Sequence, residues 1–429
     1  MSRIGRALAL LSCVVAVAAA GAGAAVAPTT PDMPLYPQAG ILWQDLYVNN
    51  FVDLDPEPGR LLDHACGTQT YDGHTGIDTD IRSFREMDIG VPVFAALDGE
   101  VISVQDGNFD RNHGPATERF DNHVVLEHGP GRFTIYGHLR KGISLRRGQR
   151  VVAGQQLGWT ASSGSSTWPH LHFTSHVDKQ VSEPFSGPCR EGPSGFDDQP
   201  PMPSAPYVQD VAISSVPMTG MRDLPHDLGP RTGTFVRGAR TFAFRVQIGA
   251  IPASAQRIRI RVVRPNGVAI GGLHGPVNGA HVYHGRGTWG VAQRLALRWV
   301  GRWKLRVEVD DGVLAEAPFD VVARPSQLRN RRPRPVSASI LPAAPTRADV
   351  LQCRISTSLV TEDPDYQIVA FRYRWTVGGR VVRTVRSAAL SDVLRRGLAA
   401  PGQRVSCSVT PTDGRLAARP SVAAVVAAD

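Results

Sequence analysis

Five cysteines, 7% aromatic residues and 20% charged residues in a chain of 429 leave several kinds of protein without the material they need. No two cysteines have the close spacing of a thiolate zinc site. No segment combines basic and aromatic residues into a nucleic-acid-binding motif, so a nucleic-acid partner is not expected. Beyond the first 27 residues no run is long and apolar enough to span a bilayer. With 42% hydrophobic residues the composition is globular rather than disordered. The length leaves room for about three domains.

Residues 1–27 read as a signal peptide. Arg3 and Arg6 make a basic start, Ala7 to Ala20 is apolar, and Ala25, Val26 and Ala27 give a small-x-small pattern before a cleavage site near Pro28. A lipoprotein signal ending at Cys13 would follow a very short apolar region and is set aside. The expectation is an exported protein, secreted or periplasmic. The formal charge of +9 falls to +7 without Arg3 and Arg6, an excess that suits an anionic polymer and equally an arginine-rich proteome.

The chemistry concentrates in three short pieces: HTGID at 74–78, YGHL at 136–139 and PHLHF at 169–173. Strand residues alternate faces, so His170 and His172 point one way while Leu171 and Phe173 enter the core. Neutral imidazoles and a carboxylate suit zinc, and three protein ligands leave a fourth position for an activated water. His74, Asp78 and one of His170 and His172 make such a set, with His138 left for proton transfer. Residue chemistry leaves that choice open.

In this order and at this separation the three pieces resemble the zinc metallopeptidases of the M23 type, the LytM and lysostaphin group. The resemblance covers about residues 60–180 and includes GVPVFAALDGEVISV at 90–104 and the glycine-punctuated segment 146–173. It implies His74, Asp78 and His172 as zinc ligands and His138 and His170 as catalytic histidines. His64, His113, His123, His128 and His176 have no motif role and read as structural or solvated. The chain departs from the family pattern in a longer connection after Asp78, an extended loop at 105–121, Trp168 where glycine is common and Thr174 where glutamate is common. These departures are expected to border a substrate groove. The implied function is an exported zinc endopeptidase cutting the stems or cross-bridges of bacterial peptidoglycan with metal-activated water. The alternatives are an extracellular protease of glycine-rich proteins and a catalytically silent wall-binding or regulatory protein.

Cys66 and Cys189 bracket this region and Cys353 and Cys407 share the last domain, so those pairs are the expected disulfides of an exported chain. The fold expected is all-β. An extended lead-in at 28–60 precedes an antiparallel metallopeptidase domain at 61–185, with strands at Val91 to Ala95, Gly99 to Val104, His123 to Leu126 and Thr134 to His138. A proline-rich linker at 186–206 leads to a β-sandwich at 207–324, where Phe242, Phe244, Val246 and Ile248 alternate as on a sheet with one wet face. His274, His281 and His284 there read as solvated. A second linker at 325–346 leads to a domain at 347–429, whose Cys353, Trp375, Cys407 order resembles an immunoglobulin-like sandwich. The 106–117 stretch starts like a calcium loop but has Arg111 and Thr117 where glycine and glutamate are needed, so a solvated loop is expected.

Overall fold

The computed structural model describes residues 32–114, 120–216, 230–277 and 282–428; the expected signal peptide, His281 and Thr117 lie outside them. Among the described residues the chain is all-β, its strands paired antiparallel except for Thr234–Val236 against Gly312–Val322, with one six-residue α-helix, Phe84–Ile89, capped by the Ser83 side chain. No helix among the described residues is long and apolar enough to cross a membrane.

The first unit centres on one sheet. Its strands run in the order Tyr47–Asn50, Ile77–Asp80, His170–Val177, Arg132–Gly137, His123–Gly129, Gly99–Gln105 and Arg150–Val151, with Gln180–Ser182 paired to His170–Val177. Period-two alternation decides which side chains reach the core. Ile77, Leu171, Phe173 and Tyr136 are fully buried, and burial of an apolar side chain of this size contributes about 1.5–3 kcal/mol. The opposite face carries Asp78, Asp80, His170 and His172. The register sets Asp78 directly beside His172 and Asp80 beside His170, and Gly137 lies on the other flank of His172. Three strands far apart in sequence thus deliver their polar residues to one patch.

The middle unit has two sheets. One is ordered Tyr207–Ser214, Thr241–Gly249, Arg286–Arg294 and Val282–Tyr283, and the other has Gly301–Val309 near its centre. They enclose Phe242, Phe244, Val246, Ile258, Ile260, Trp303 and Phe319. In the last unit the Cys353–Cys407 disulfide joins a three-stranded to a four-stranded sheet, and Trp375 lies beside Cys407 in register. The Cys66–Cys189 disulfide closes the first unit, so both expected pairs form.

Several expectations need correction, and they share one cause: the units pack on each other. The second face of Thr241–Gly249 is dry, because Arg245 and Gln247 are buried and Gln247 donates to the Arg82 carbonyl of the first unit at 3.2 Å. Residues 186–206 are not a free tether, since Phe196 is buried against Tyr36 and Phe185. The 325–346 stretch contains a strand, Ser337–Leu341, paired with Leu351–Ser356. The longer connection after Asp78 is mostly buried. It forms the short helix and a joint in which Arg82 pairs with Glu86 at 2.5 Å and with Glu362 of the last unit at 3.5 Å, and reaches the Gln209 carbonyl at 3.5 Å. Asp210, Arg231 and Arg245 complete this buried charge cluster. A buried ion must be paired to persist, and the Arg82 contacts to Glu362 and to the Gln209 carbonyl form only with all three units in place. In the 105–121 loop the Asp106 carboxylate accepts from Gly142 and Ile143 and that of Asp110 from Lys141, so these acids brace a neighbouring turn.

Candidate metal centre

His74 precedes its strand, and its ring is oriented by the lead-in. The Phe51 carbonyl takes the Nδ1 proton at 2.7 Å, which leaves Nε2 unprotonated and turned inward. Nε2 lies 3.2 Å from Asp78 Oδ2 and 3.3 Å from His172 Nδ1. His172 Nδ1 is 2.8 Å from Asp78 Oδ1, and its far nitrogen, Nε2, is 3.0 Å from Thr174 Oγ1. The hydroxyl of Thr174, at the position where the family favours glutamate, can therefore accept the outer proton of His172. Asn50 donates its amide to Asp78 Oδ2 at 3.0 Å.

Three donor atoms, one from each of His74, Asp78 and His172, lie within 4.8 Å of one another. With the outer nitrogens of both rings spoken for, lone pairs and a carboxylate face one another in a buried spot, an arrangement that asks for a cation. Zinc bonds of about 2.0–2.1 Å at tetrahedral angles separate ligand atoms by about 3.3 Å, so the spacing and the donor types both fit zinc. Burial alone would raise the Asp78 carboxyl, but the imidazoles of His74 and His170, with His172 alongside, hold it well below the usual carboxylate range.

His138 and His170 share this face. Their ring centres are 4.4 Å apart, and that of His138 is 5.9 Å from His172. His138 lies just past the end of the strand Arg132–Gly137, in the left-handed region at φ 57°, a conformation that is costly for a residue with a side chain and that occurs where geometry is fixed by the surroundings. Its Nδ1 is 2.6 Å from the Ser163 carbonyl and its backbone N–H donates to Asp121 at 3.3 Å. His170 Nδ1 is 2.7 Å from the Trp168 carbonyl. Both rings therefore present Nε2 to the site, and His170 Nε2 is 3.6 Å from Asp78 Oδ1. Burial, with the imidazoles of His170 and His172 alongside, pushes His138 well below its ordinary value, so it is a neutral base.

Residues 72–184 match peptidase family M23. The chain carries an M23 peptidase domain. The M23 match is supported by relatives. The domain is 40% identical over 87 residues to the peptidoglycan DD-endopeptidase ShyA of Vibrio cholerae, a stretch covering 20% of this chain and 18% of that protein. It is 32% identical over 111 residues to the glycyl-glycine endopeptidase ALE-1 of Staphylococcus capitis, 26% of either chain. Among solved structures, the catalytic domain of lysostaphin from Staphylococcus simulans aligns at 26% identity over 32% of this chain and 86% of that one, with a TM-score of 0.21. The chain spans only about a fifth to a quarter of the length of these two curated relatives.

The M23 motifs do not reveal every residue around the centre. Asn50 and the Phe51 carbonyl come from the lead-in, with no signal beyond their place in the sheet. Asp121, in the DNH run at 121–123, links the His138 backbone to His123, whose Nδ1 it meets at 2.9 Å. Gly76, inside the first motif, leaves room for the His172 ring: a Cβ there would sit 2.7 Å from Cε1 and Nε2. Trp168 donates its indole N–H to the Ile81 carbonyl at 2.6 Å, and the Arg286 guanidinium of the middle unit lies 4.9 Å above its ring. His284 is not freely solvated; it is half-buried at a turn against the first unit.

Proposed function

We propose that the protein is an exported zinc endopeptidase that hydrolyses peptide bonds in the stems or cross-bridges of bacterial peptidoglycan. The observation that carries this reading is the convergence of His74, Asp78 and His172 in an M23 domain, with two further imidazoles on the same face. The names of ShyA and ALE-1 supply the substrate class, and residues 1–27 supply the export signal.

His74, Asp78 and His172 would hold zinc, which supplies Lewis acidity to a water and to a carbonyl oxygen. Proton handling falls to the chain's own groups, and no carboxylate of the three motifs is left for it. His138 and His170, each anchored through Nδ1 to a carbonyl, offer their Nε2 atoms to one small volume. One accepts the proton of the attacking water and returns it to the leaving amine; the other, protonated, donates to the developing oxyanion. The fixed carbonyl partners keep both rings from turning away between these steps.

The test is digestion of purified sacculi by the full-length protein, with products identified by mass. New peptide termini in stems or bridges are expected, and their loss on chelation. Cleavage of a glycine-rich protein with intact sacculi would replace this reading by a general extracellular protease. Zinc binding with no cleavage of either substrate would leave a silent wall-binding protein.

A further inference from the structure

The middle unit reaches the metal centre through one hairpin. Val282–Tyr283 and Arg286–Arg294 pair antiparallel and turn at His284 and Gly285, whose φ values of 46° and 75° are both left-handed. This is the two-residue primed turn that matches strand twist. Its tip is seated on the first unit by independent contacts. Tyr47 donates its hydroxyl to the His284 carbonyl at 2.6 Å, and a Cβ on Gly285 would come 3.0 Å from that hydroxyl oxygen. Arg286 pairs with Asp80 at 2.6 Å, both side chains buried, and lies over Trp168.

So held, Tyr283 keeps about half its surface exposed while its hydroxyl lies 3.1 Å from Asn50 Oδ1. Asn50 in turn donates Nδ2 to Asp78 Oδ2 at 3.0 Å. The directions of these bonds follow from chemistry. An ionised carboxylate only accepts, so the amide must show Asp78 its nitrogen and Tyr283 its oxygen, and the phenol must be the donor. An asparagine held at one end only can flip its amide; one held at both ends cannot without losing both bonds.

We propose that Tyr283 is a positioning residue of the metal centre: supplied by the middle unit, it locks the Asn50 amide and thereby fixes the Asp78 carboxylate that faces the metal. This rests on the reading of Asp78 as a ligand. The middle unit is then part of the catalytic apparatus rather than an appended module, and metal affinity reports on its docking.

The test compares wild type, Tyr283→Phe, Asn50→Ala and the double variant, all full-length, for Zn²⁺ affinity by competition with a chromophoric chelator and without substrate. Loss of a partner that orients a metal ligand typically weakens metal binding 10–100-fold, and Asn50→Ala should fall in that range. Tyr283→Phe, one bond further out, should weaken it by roughly threefold to tenfold, with the metal-free protein melting as wild type does. The double variant should bind no more weakly than Asn50→Ala alone, because the phenol acts only through the amide. Unchanged Zn²⁺ affinity in Tyr283→Phe, or additive losses in the double variant, would overturn the relay while the metal site stands. Wild type that binds no Zn²⁺ would overturn the metal-site reading and the relay with it.

Discussion

Gly76→Ala is the substitution for which the structure yields the sharpest number. Gly76 does not have the left-handed backbone that only glycine tolerates, so the variant tests space alone. The added methyl would lie 2.7 Å from Cε1 and Nε2 of His172 and 2.9 Å from the Phe173 carbonyl oxygen, where ordinary contacts begin near 3.4 Å. The Phe173 carbonyl belongs to a strand paired on both sides and cannot retreat. The imidazole must therefore give way by about 0.7 Å. A metal site tolerates about 0.2 Å in its bond lengths, so this movement takes His172 Nδ1 out of reach of a centre shared with His74 and Asp78. We expect zinc affinity to drop by about 10- to 100-fold, or roughly 1.4–2.7 kcal/mol, with a further 1–3 kcal/mol of overpacking in overall stability. Chelator competition measures the first and chemical denaturation of the metal-free protein the second. Zinc bound as tightly as in wild type would show that the ring over Gly76 is not a ligand. A loss of stability with no loss of affinity would show the same.

Replacing His74 or Asp78 by alanine should release zinc measured by elemental analysis. His138→Ala and His170→Ala should retain zinc and lose turnover by roughly 10²-fold or more. If His170→Ala loses the metal and His172→Ala keeps it, the roles of those two are reversed. Breaking Cys353–Cys407 with serine should cost about 2–5 kcal/mol in denaturant titrations, and an unchanged midpoint would contradict a bridge between the sheets. His64 is buried, with its ring centre 4.3 Å from that of Phe51, and burial lowers its pKa to about 4. Between that value and the 6.5 of an unfolded histidine the unfolded chain binds the extra proton. Stability should thus be full above pH 6.5 and decline as pH falls towards 4, by up to about 3 kcal/mol from this group. His64→Phe should flatten that slope in melts run from pH 7 to 4, and an unaltered slope would refute it.

The parts of the site legible in the sequence are those that repeat a local rule. His170 and His172 share a face because strands alternate, and Leu171 and Phe173 enter the core for the same reason. The contacts that complete the centre obey no local rule. Asn50 meets Asp78 across 28 residues and Tyr283 meets Asn50 across 233, each through a single side chain with no periodic signature. The dry face of Thr241–Gly249 escaped for a related reason. Alternation tells which side of a strand is apolar, but not what covers the other side, and here buried charges, Arg245 with Asp210, lie beneath a neighbouring unit. The longer connection after Asp78 reads only as a departure from the family pattern, because no local rule tells that its Arg82 is the residue on which three units meet.

That joint bears on how such a chain could be rebuilt or could have diversified. Exchange of binding modules among enzymes works when a boundary can be cut without consequence on either side. Here a cut near residue 206 would strip Arg82 of the Gln209 carbonyl and leave its Glu362 partner on the wrong fragment. It would also uncover the flank now closed by Tyr283 and Arg286. Any foreign module grafted in place of residues 207–428 would have to supply an acid for Arg82, a base for Asp80 and a hydroxyl for Asn50, all at once. Inheritance of the three units as one indivisible block, with variation confined to outward-facing strands and loops, is the pattern this joint imposes.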